Sequence, residues 1–158
     1  MQDIIIASDH RGYPLKAQLK EFLKAQKFFV IDMGVPNADH PGNDAYPPII
    51  NVIEKVVDTV KSAKHFYGIL ICGDGIATSI MANRFKGIRA GLCYTKETAK
   101  QAREHNDINI LCLRGEKSDG VPHDNIDEIK KIVLTYLNTK PIPEPRYVKR
   151  RALYDEIG

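Results

Sequence analysis

Residues 67–79 read Tyr67-Gly68-Ile69-Leu70-Ile71-Cys72-Gly73-Asp74-Gly75-Ile76-Ala77-Thr78-Ser79. An apolar run of strand character ends at a cysteine, and a glycine turn then opens a helical stretch. That is the strand–turn–helix step of a parallel α/β sheet, a fold in which ligands bind beyond the carboxyl ends of the strands. Cys72 has two readings. It is the last packed residue of a strand, since free cysteine is among the most buried residue types. Or it is a base or nucleophile at a helix N-terminus, where the amides and the dipole favour a thiolate.

The same step recurs on both sides of this stretch. Asp3 to Ser8 is a β-branched run, broken by Asp9-His10-Arg11-Gly12. Pro14 then suits a first helical turn, and Leu15, Leu19, Phe22 and Leu23 share one helical face. Phe28 to Met33 is a second strand, followed by a polar loop from Val35 to Ala45. Pro47 starts a helix with Ile49, Ile53, Val56, Val57 and Val60 as its apolar stripe. Beyond the third strand, a helix is predicted from Ile76 to about Arg84, and a fourth strand from Gly87 to Tyr94. Thr95 caps a helix through Glu104, Asn109 to Leu113 is a fifth strand, and Ile126 to Leu137 is another helix. Strands that are almost wholly apolar suit a parallel sheet covered on both faces. The expected fold is a doubly wound, Rossmann- or flavodoxin-like five-stranded parallel sheet with helices on both faces and right-handed crossovers.

Residues 1–138 form this α/β domain, and residues 139–158 an arm that belongs to the same fold. Pro141, Pro143 and Pro145 keep the arm extended, and Arg146-Tyr147-Val148-Lys149-Arg150-Arg151 begins a terminal helix. A stiff arm leading to a basic helix is expected to reach a partner subunit rather than pack on its own domain.

At 158 residues, 43% hydrophobic and 27% charged, the composition is that of one globular domain. A formal charge of +3 does not call for nucleic acid, and small anions fit equally well. No apolar run approaches the length of a membrane helix, and Met1-Gln2-Asp3 does not open a secretion signal. Three widely spaced cysteines, Cys72, Cys93 and Cys112, argue for a reducing compartment. A cytoplasmic protein is expected.

Polar residues gather at three places: Asp9-His10, Cys72 to Ser79, and His105-Asn106-Asp107. Singly, an Asp after a strand is often a cap, and a lone His is often a surface residue. The turn Gly73-Asp74-Gly75-Ile76-Ala77 presents backbone N–H groups to an anion. As a dinucleotide signature it is weak, because it follows the third strand and not the first. Arg146 and Arg150, four apart, would project from one helical face and suit a phosphate, or simply form a solvated basic face. His40, His65 and His123 have no ligand spacing, and Asp39-His40 is a weak metal candidate.

Taken together, these segments are recognisable. Ser8-Asp9-His10-Arg11-Gly12 with Leu15-Lys16, the pair Tyr46-Pro47, Cys72-Gly73 with Gly75-Ile76, and Ala82-Asn83 resemble the ribose-5-phosphate isomerase B family. So do Gly87-Ile88-Arg89-Ala90 and Ala102 to Asn109. That family also contains the galactose-6-phosphate isomerase subunits. The resemblance implies an aldose–ketose isomerase for a sugar phosphate, with no metal and no organic cofactor, working as a homodimer or tetramer with the site at a subunit interface. It implies Cys72 as the base that moves a proton between C2 and C1, and His105 as the acid that opens the ring. It places Asp9, His10 and Tyr46 on the sugar, and Asn106 beside it. The backbone of Gly73, Asp74, Gly75, Ile76 and Ala77 would hold the enediolate, and Arg146 and Arg150 the phosphate. Some members use instead a glutamate that matches Thr78, which cannot remove a carbon-bound proton.

Two departures stand out. Asp74 replaces the usual hydroxyl residue, so its carboxyl is protonated, turned away, or shuttling a proton between substrate oxygens. By count, the family's phosphate-binding arginine falls on Glu116, with Arg114 or Lys117 as replacements. Ribose 5-phosphate is the expected substrate. The alternatives are galactose 6-phosphate, allose 6-phosphate or a tetrose phosphate, or a sugar-phosphate-binding module without turnover.

Overall fold

A computed structural model describes residues 3–34, 46–62, 66–116 and 125–157, the side chains of 46–50 excepted. The polar loop 35–45, Asp39, His40, His65, Lys117, His123 and the side chain of Tyr46 therefore lie outside the described residues. The elements are β1 (Asp3–Ser8), α1 (Tyr13–Ala25), β2 (Phe29–Asp32), α2 (Tyr46–Ser62), β3 (Phe66–Cys72) and α3 (Ile76–Ala82). They continue as β4 (Ala90–Leu92), α4 (Lys96–Asn106), β5 (Ile110–Arg114), α5 (Ile126–Asn138) and α6 (Pro145–Glu156). Among these, no helix is long and apolar enough to cross a membrane.

The strands form one parallel sheet in the order β2-β1-β3-β5-β4. Successive residues of a strand point to opposite faces, and each face has its own core. Ile4, Ile6, Ile69, Ile71, Leu111 and Leu113 pack on one face with α1, α4 and α5. Ile5, Ala7, Leu70, Ile110 and Cys112 pack on the other with Ile53, Val56, Val57 and Val60 of α2. This is the doubly wound arrangement expected. From β1 the chain winds to β2 on one side, and from β3 it moves off through α3 on the other. The carboxyl ends of β1 and β3 therefore flank the switch point, where a crevice opens.

The fourth strand is shorter than its sequence suggests. Gly87 takes a positive φ of 79°. The Arg89 amide donates to Asn109 Oδ1 at 2.9 Å, and Asn83 brackets Ala90 by accepting from its N–H and donating to its carbonyl, both at 2.9 Å. Side chains thus satisfy backbone groups that a longer ladder would have used.

The tail corrects a second expectation, because it does find a seat on its own domain. Ile142 N–H donates to Glu104 O at 2.9 Å, and Arg151 Nη2 donates back to Ile142 O at 3.1 Å. Tyr147, only 9% exposed, stacks on the His105 ring of α4. Arg89 Nη1 pairs with Asp155 at 2.8 Å. The buried Tyr147 ring, with the Arg89–Asp155 pair, holds this basic helix in place. At the start of the arm, Arg103 is buried and donates to the Asp107 carboxylate, to Ile108 O at 2.7 Å, to Tyr67 OH at 3.1 Å and to Thr139 O at 3.2 Å.

A second buried cation fixes the β1–β2 end of the crevice. Lys16 is 1% exposed and pairs with Asp32 Oδ1 at 2.8 Å, while Lys20 takes Oδ2 at 3.0 Å. Burial pushes the Asp32 carboxyl up, but the two lysine hydrogen bonds outweigh it and hold it below its ordinary value. The pair therefore stabilises the fold above the ordinary carboxylate range and is lost as pH falls through the lowered value. Asp32→Asn leaves Lys16 buried without a counter-charge, which typically costs roughly 3–5 kcal/mol. Asp32 is itself 25% exposed, so the lower end is expected. Urea unfolding should show that deficit at neutral pH and a smaller one in acid; equal deficits at both would place the effect elsewhere.

Candidate active site

The turn from β3 to α3 builds the first part of the site. Gly75 has φ +81°, and a Cβ there would sit 2.5 Å from Leu92 Cδ1 and 3.0 Å from Leu113 O, so only glycine makes this corner. The corner aims the Gly75 N–H at Cys72 Sγ, 3.2 Å away. Thr78 Oγ1 lies 3.5 Å from the same sulfur and donates to Gly75 O at 3.2 Å. Cys72 is 3% exposed, at the rim of the core, with its sulfur among polar partners. The other two thiols are packing residues: burial pushes Cys93 up to about 11 and Cys112 up to about 12.

Asp74 Oδ1 accepts the Ile76 N–H at 2.9 Å and lies 3.7 Å from Cys72 Sγ. The carboxyl is folded into its own turn, where it takes an amide that would otherwise face an anion. Tyr94 OH donates to the Asp74 carbonyl at 3.2 Å and steadies the turn from outside.

The end of β1 lies against this turn. Asp9 N–H donates to Ile71 O at 3.1 Å, and its Oδ1 accepts from Gly12 N–H at 2.8 Å. Asp9 is 5% exposed, and burial pushes its carboxyl above the ordinary value despite that hydrogen bond. His10 Nδ1 is buried and meets no partner among the described residues. Gly12 and Gly115 let three strand ends converge, since a Cβ on Gly12 would fall 2.5 Å from Ile71 O and one on Gly115 2.7 Å from Gly12 Cα. Glu116 N–H donates to Gly73 O at 3.1 Å, and its carboxylate takes Arg11 Nε at 2.6 Å. The Arg11 guanidinium covers Gly73 so closely that a Cβ there would be 2.7 Å from Cζ.

Sequence reading gave Arg11 no role, and discounted Thr78 as a base without foreseeing its contact with the sulfur. The available signal was a cation within the acidic turn Asp9-His10-Arg11-Gly12. Arg114, a suggested replacement for the missing phosphate arginine, pairs with Cys72 in register but turns its guanidinium over the Tyr94 ring at 5.5 Å.

The remaining candidates sit together elsewhere, at the end of α4 and on α6. The His105 and Tyr147 rings stack at 4.6 Å between centroids and 3° between planes. Arg146 and Arg150 flank the same tyrosine, with Cζ 4.5 Å and 5.7 Å from its centroid. Arg146 also pairs with Glu144 at 3.0 Å, and Asn106 Oδ1 accepts from Tyr154 OH at 3.2 Å. Asp107 in the left-handed region, at φ 50°, ends α4 directly after His105 and Asn106. Among the described residues, no hydrogen bond, ion pair or ring contact joins this group to the Cys72 group. One group offers a thiol, the carboxyls of Asp9, Asp74 and Glu116, the His10 ring, the Arg11 guanidinium and turn amides; the other offers the His105 imidazole, the Asn106 amide and the guanidinium groups of Arg146 and Arg150. Together they hold what proton transfer next to a carbonyl requires, together with an anchor for an anionic sugar.

Comparison with known proteins bears on this geometry. The chain is 40% identical over 111 residues to a probable ribose-5-phosphate isomerase B of Mycoplasma genitalium, covering 70% of each. It superposes with a TM-score of 0.84 on the ribose 5-phosphate isomerase of Thermotoga maritima, at 35% identity and 99% of both chains. The TM-score is 0.80 with the M. genitalium isomerase B carrying bound ribulose-5-phosphate, at 35% identity over 98% of this chain and 94% of that one. Residues 4–152 match the model of the family described as Ribose/Galactose Isomerase. With the match running from β1 into α6, the chain belongs to the ribose/galactose isomerase family of aldose–ketose isomerases.

Proposed function

We propose that this chain interconverts ribose 5-phosphate and ribulose 5-phosphate through an enediolate, as a cytoplasmic enzyme built from at least two copies. The observation that carries the reading is the Cys72 sulfur, set at the β1–β3 crevice with the Gly75 amide and the Thr78 hydroxyl on it. Cys72 removes the proton from C2 of the open aldose and returns it to C1. The turn amides hold the negative oxygen that develops between these steps. The O2 proton must reach O1 for the ketose to form, and Asp74, 3.7 Å from the sulfur, is placed to carry it. Asp9, His10 and Tyr46 bind the sugar.

His105 opens the ring, Asn106 binds the sugar, and Arg146 and Arg150 hold the phosphate, all from a second copy. Two features support that arrangement. Among the described residues, no hydrogen bond, ion pair or ring contact joins the α4–α6 group to Cys72, and apolar side chains stand exposed on α3 and α6, among them Ile80 at 61% and Leu153 at 49%. Three free cysteines support a reducing compartment.

The test is isomerisation of ribose 5-phosphate by the purified protein, read from the ultraviolet signal of the ketose, beside allose, galactose and erythrose phosphates. Turnover of ribose 5-phosphate is expected. Activity confined to another sugar would favour the second reading, an isomerase of a different sugar phosphate, for which Glu116 at the family's arginine position is the motive. Silence across the panel would overturn both.

A further inference from the structure

Among the described residues, the strand-end crevice presents the carboxyl groups of Asp9, Asp74 and Glu116, with the Arg11 cation among them. Arg11 interacts with all three. Only its Nε is engaged, by Glu116 at 2.6 Å, while Nη1 and Nη2 have no partner among the described residues. Its side chain is 45% exposed and that of Glu116 17%, so the edge held by Glu116 is the more buried one and the guanidinium stays accessible to an anion. The guanidinium lies on the bare Cα of Gly73, one residue from Cys72. His10, its neighbour, brings a buried nitrogen that has no partner among the described residues. A flat fork held by one edge, with its other N–H groups free, is pre-organised for an oxyanion.

We propose that Arg11 is the anion anchor on this side of the site, and that Glu116 is a positioning residue that holds it there. The tie spans 105 residues of sequence and places a guanidinium from the first strand loop where the fifth strand loop carries a carboxylate. It adds a third guanidinium to the two on α6, and offsets the carboxyl groups that a phosphate would otherwise meet. The assignment rests on the isomerase reading only for the identity of the anion's owner, a sugar phosphate; the anchor itself is a property of the crevice.

The experiment titrates inorganic phosphate into the wild type, Arg11→Ala, Arg11→Lys, Glu116→Gln and the double Arg11→Ala/Glu116→Gln variant. Steady-state kinetics run alongside on whichever aldose phosphate the wild type turns over. Loss of a charge-assisted anchor should weaken phosphate binding in Arg11→Ala by about 10- to 100-fold. KM should rise by a similar factor, with a much smaller fall in kcat. Glu116→Gln should show a weaker effect in the same direction, and none once Arg11 is gone. Arg11→Lys should recover only part of the affinity, because an ammonium lacks the fork. Unchanged phosphate affinity in Arg11→Ala overturns the proposal. So does absence of phosphate binding to the wild type, or a loss confined to thermal stability. Weakened phosphate binding in Arg11→Ala, beside a wild type silent on every sugar, would uphold the anchor and overturn the isomerase reading alone.

Discussion

Cys72→Ser is expected to lower kcat by about 10²- to 10⁴-fold, the range in which a positioned acid–base group contributes. The substitution is nearly isosteric, and a serine hydroxyl can still accept from Gly75 N–H and meet Thr78, so the corner at Gly75 should survive. What disappears is the sulfur, and a serine hydroxyl is a far poorer base than a thiolate. Two measurements check this beyond turnover. Exchange of the C2 hydrogen of the aldose phosphate into deuterated water should be lost together with isomerisation, and the thermal unfolding midpoint should stay within a few degrees of the wild type. Near-normal rates would remove Cys72 from the base role. Asp74, 3.7 Å from the sulfur, would be first in line to replace it.

The second large effect is a gain. Cys72→Ser and His105→Ala should each be almost inactive alone. Co-refolded in equal amounts, they should recover about a quarter of wild-type activity, since symmetric pairing of protomers puts one intact site in each mixed dimer. Such recovery is expected only if the thiol of one copy works with the imidazole of the other. Continued inactivity, with mixed dimers demonstrated by a tag on one variant, would return both groups to a single chain. The separation of the α4–α6 group from Cys72 within the chain argues for recovery.

Most of the fold was legible because the strands carry it locally. Ile4-Ile5-Ile6 and Ile69-Leu70-Ile71 are apolar on both faces, which suits only a sheet covered on both sides, and each is followed by a turn sequence that opens a helix. The fourth strand was overread because its backbone partners are the side chains of Asn83 and Asn109, and such pairings leave no mark on hydrophobic periodicity. The seat of the tail on its own domain was missed for a related reason. Its basic residues dominate the pattern, whereas Tyr147 on His105, Tyr154 on Asn106 and Asp155 on Arg89 hold it where it docks. Within the site, residues close in sequence were found together, as in the corner from Cys72 to Ala77. The Arg11–Glu116 tie was not, because it exists only once parallel pairing through β3 brings the ends of β1 and β5 alongside one another. Asp74 shows the remaining limit: its composition left three states open, and the direction of its carboxyl came from local geometry alone.

Arg103 carries a consequence for motion. Its guanidinium joins the opening of β3 at Tyr67, the end of α4 at Asp107 and Ile108, and the first residue of the arm at Thr139. The arm cannot swing away while that bond set holds, and releasing it strips a buried charge of its partners, so these segments open as one cooperative unit. Local fluctuations that would let α6 drift are therefore coupled to loss of the helix end that presents His105. Hydrogen-exchange protection should rise and fall together along residues 100–108 and 139–147, far apart in the chain yet sharing one opening event.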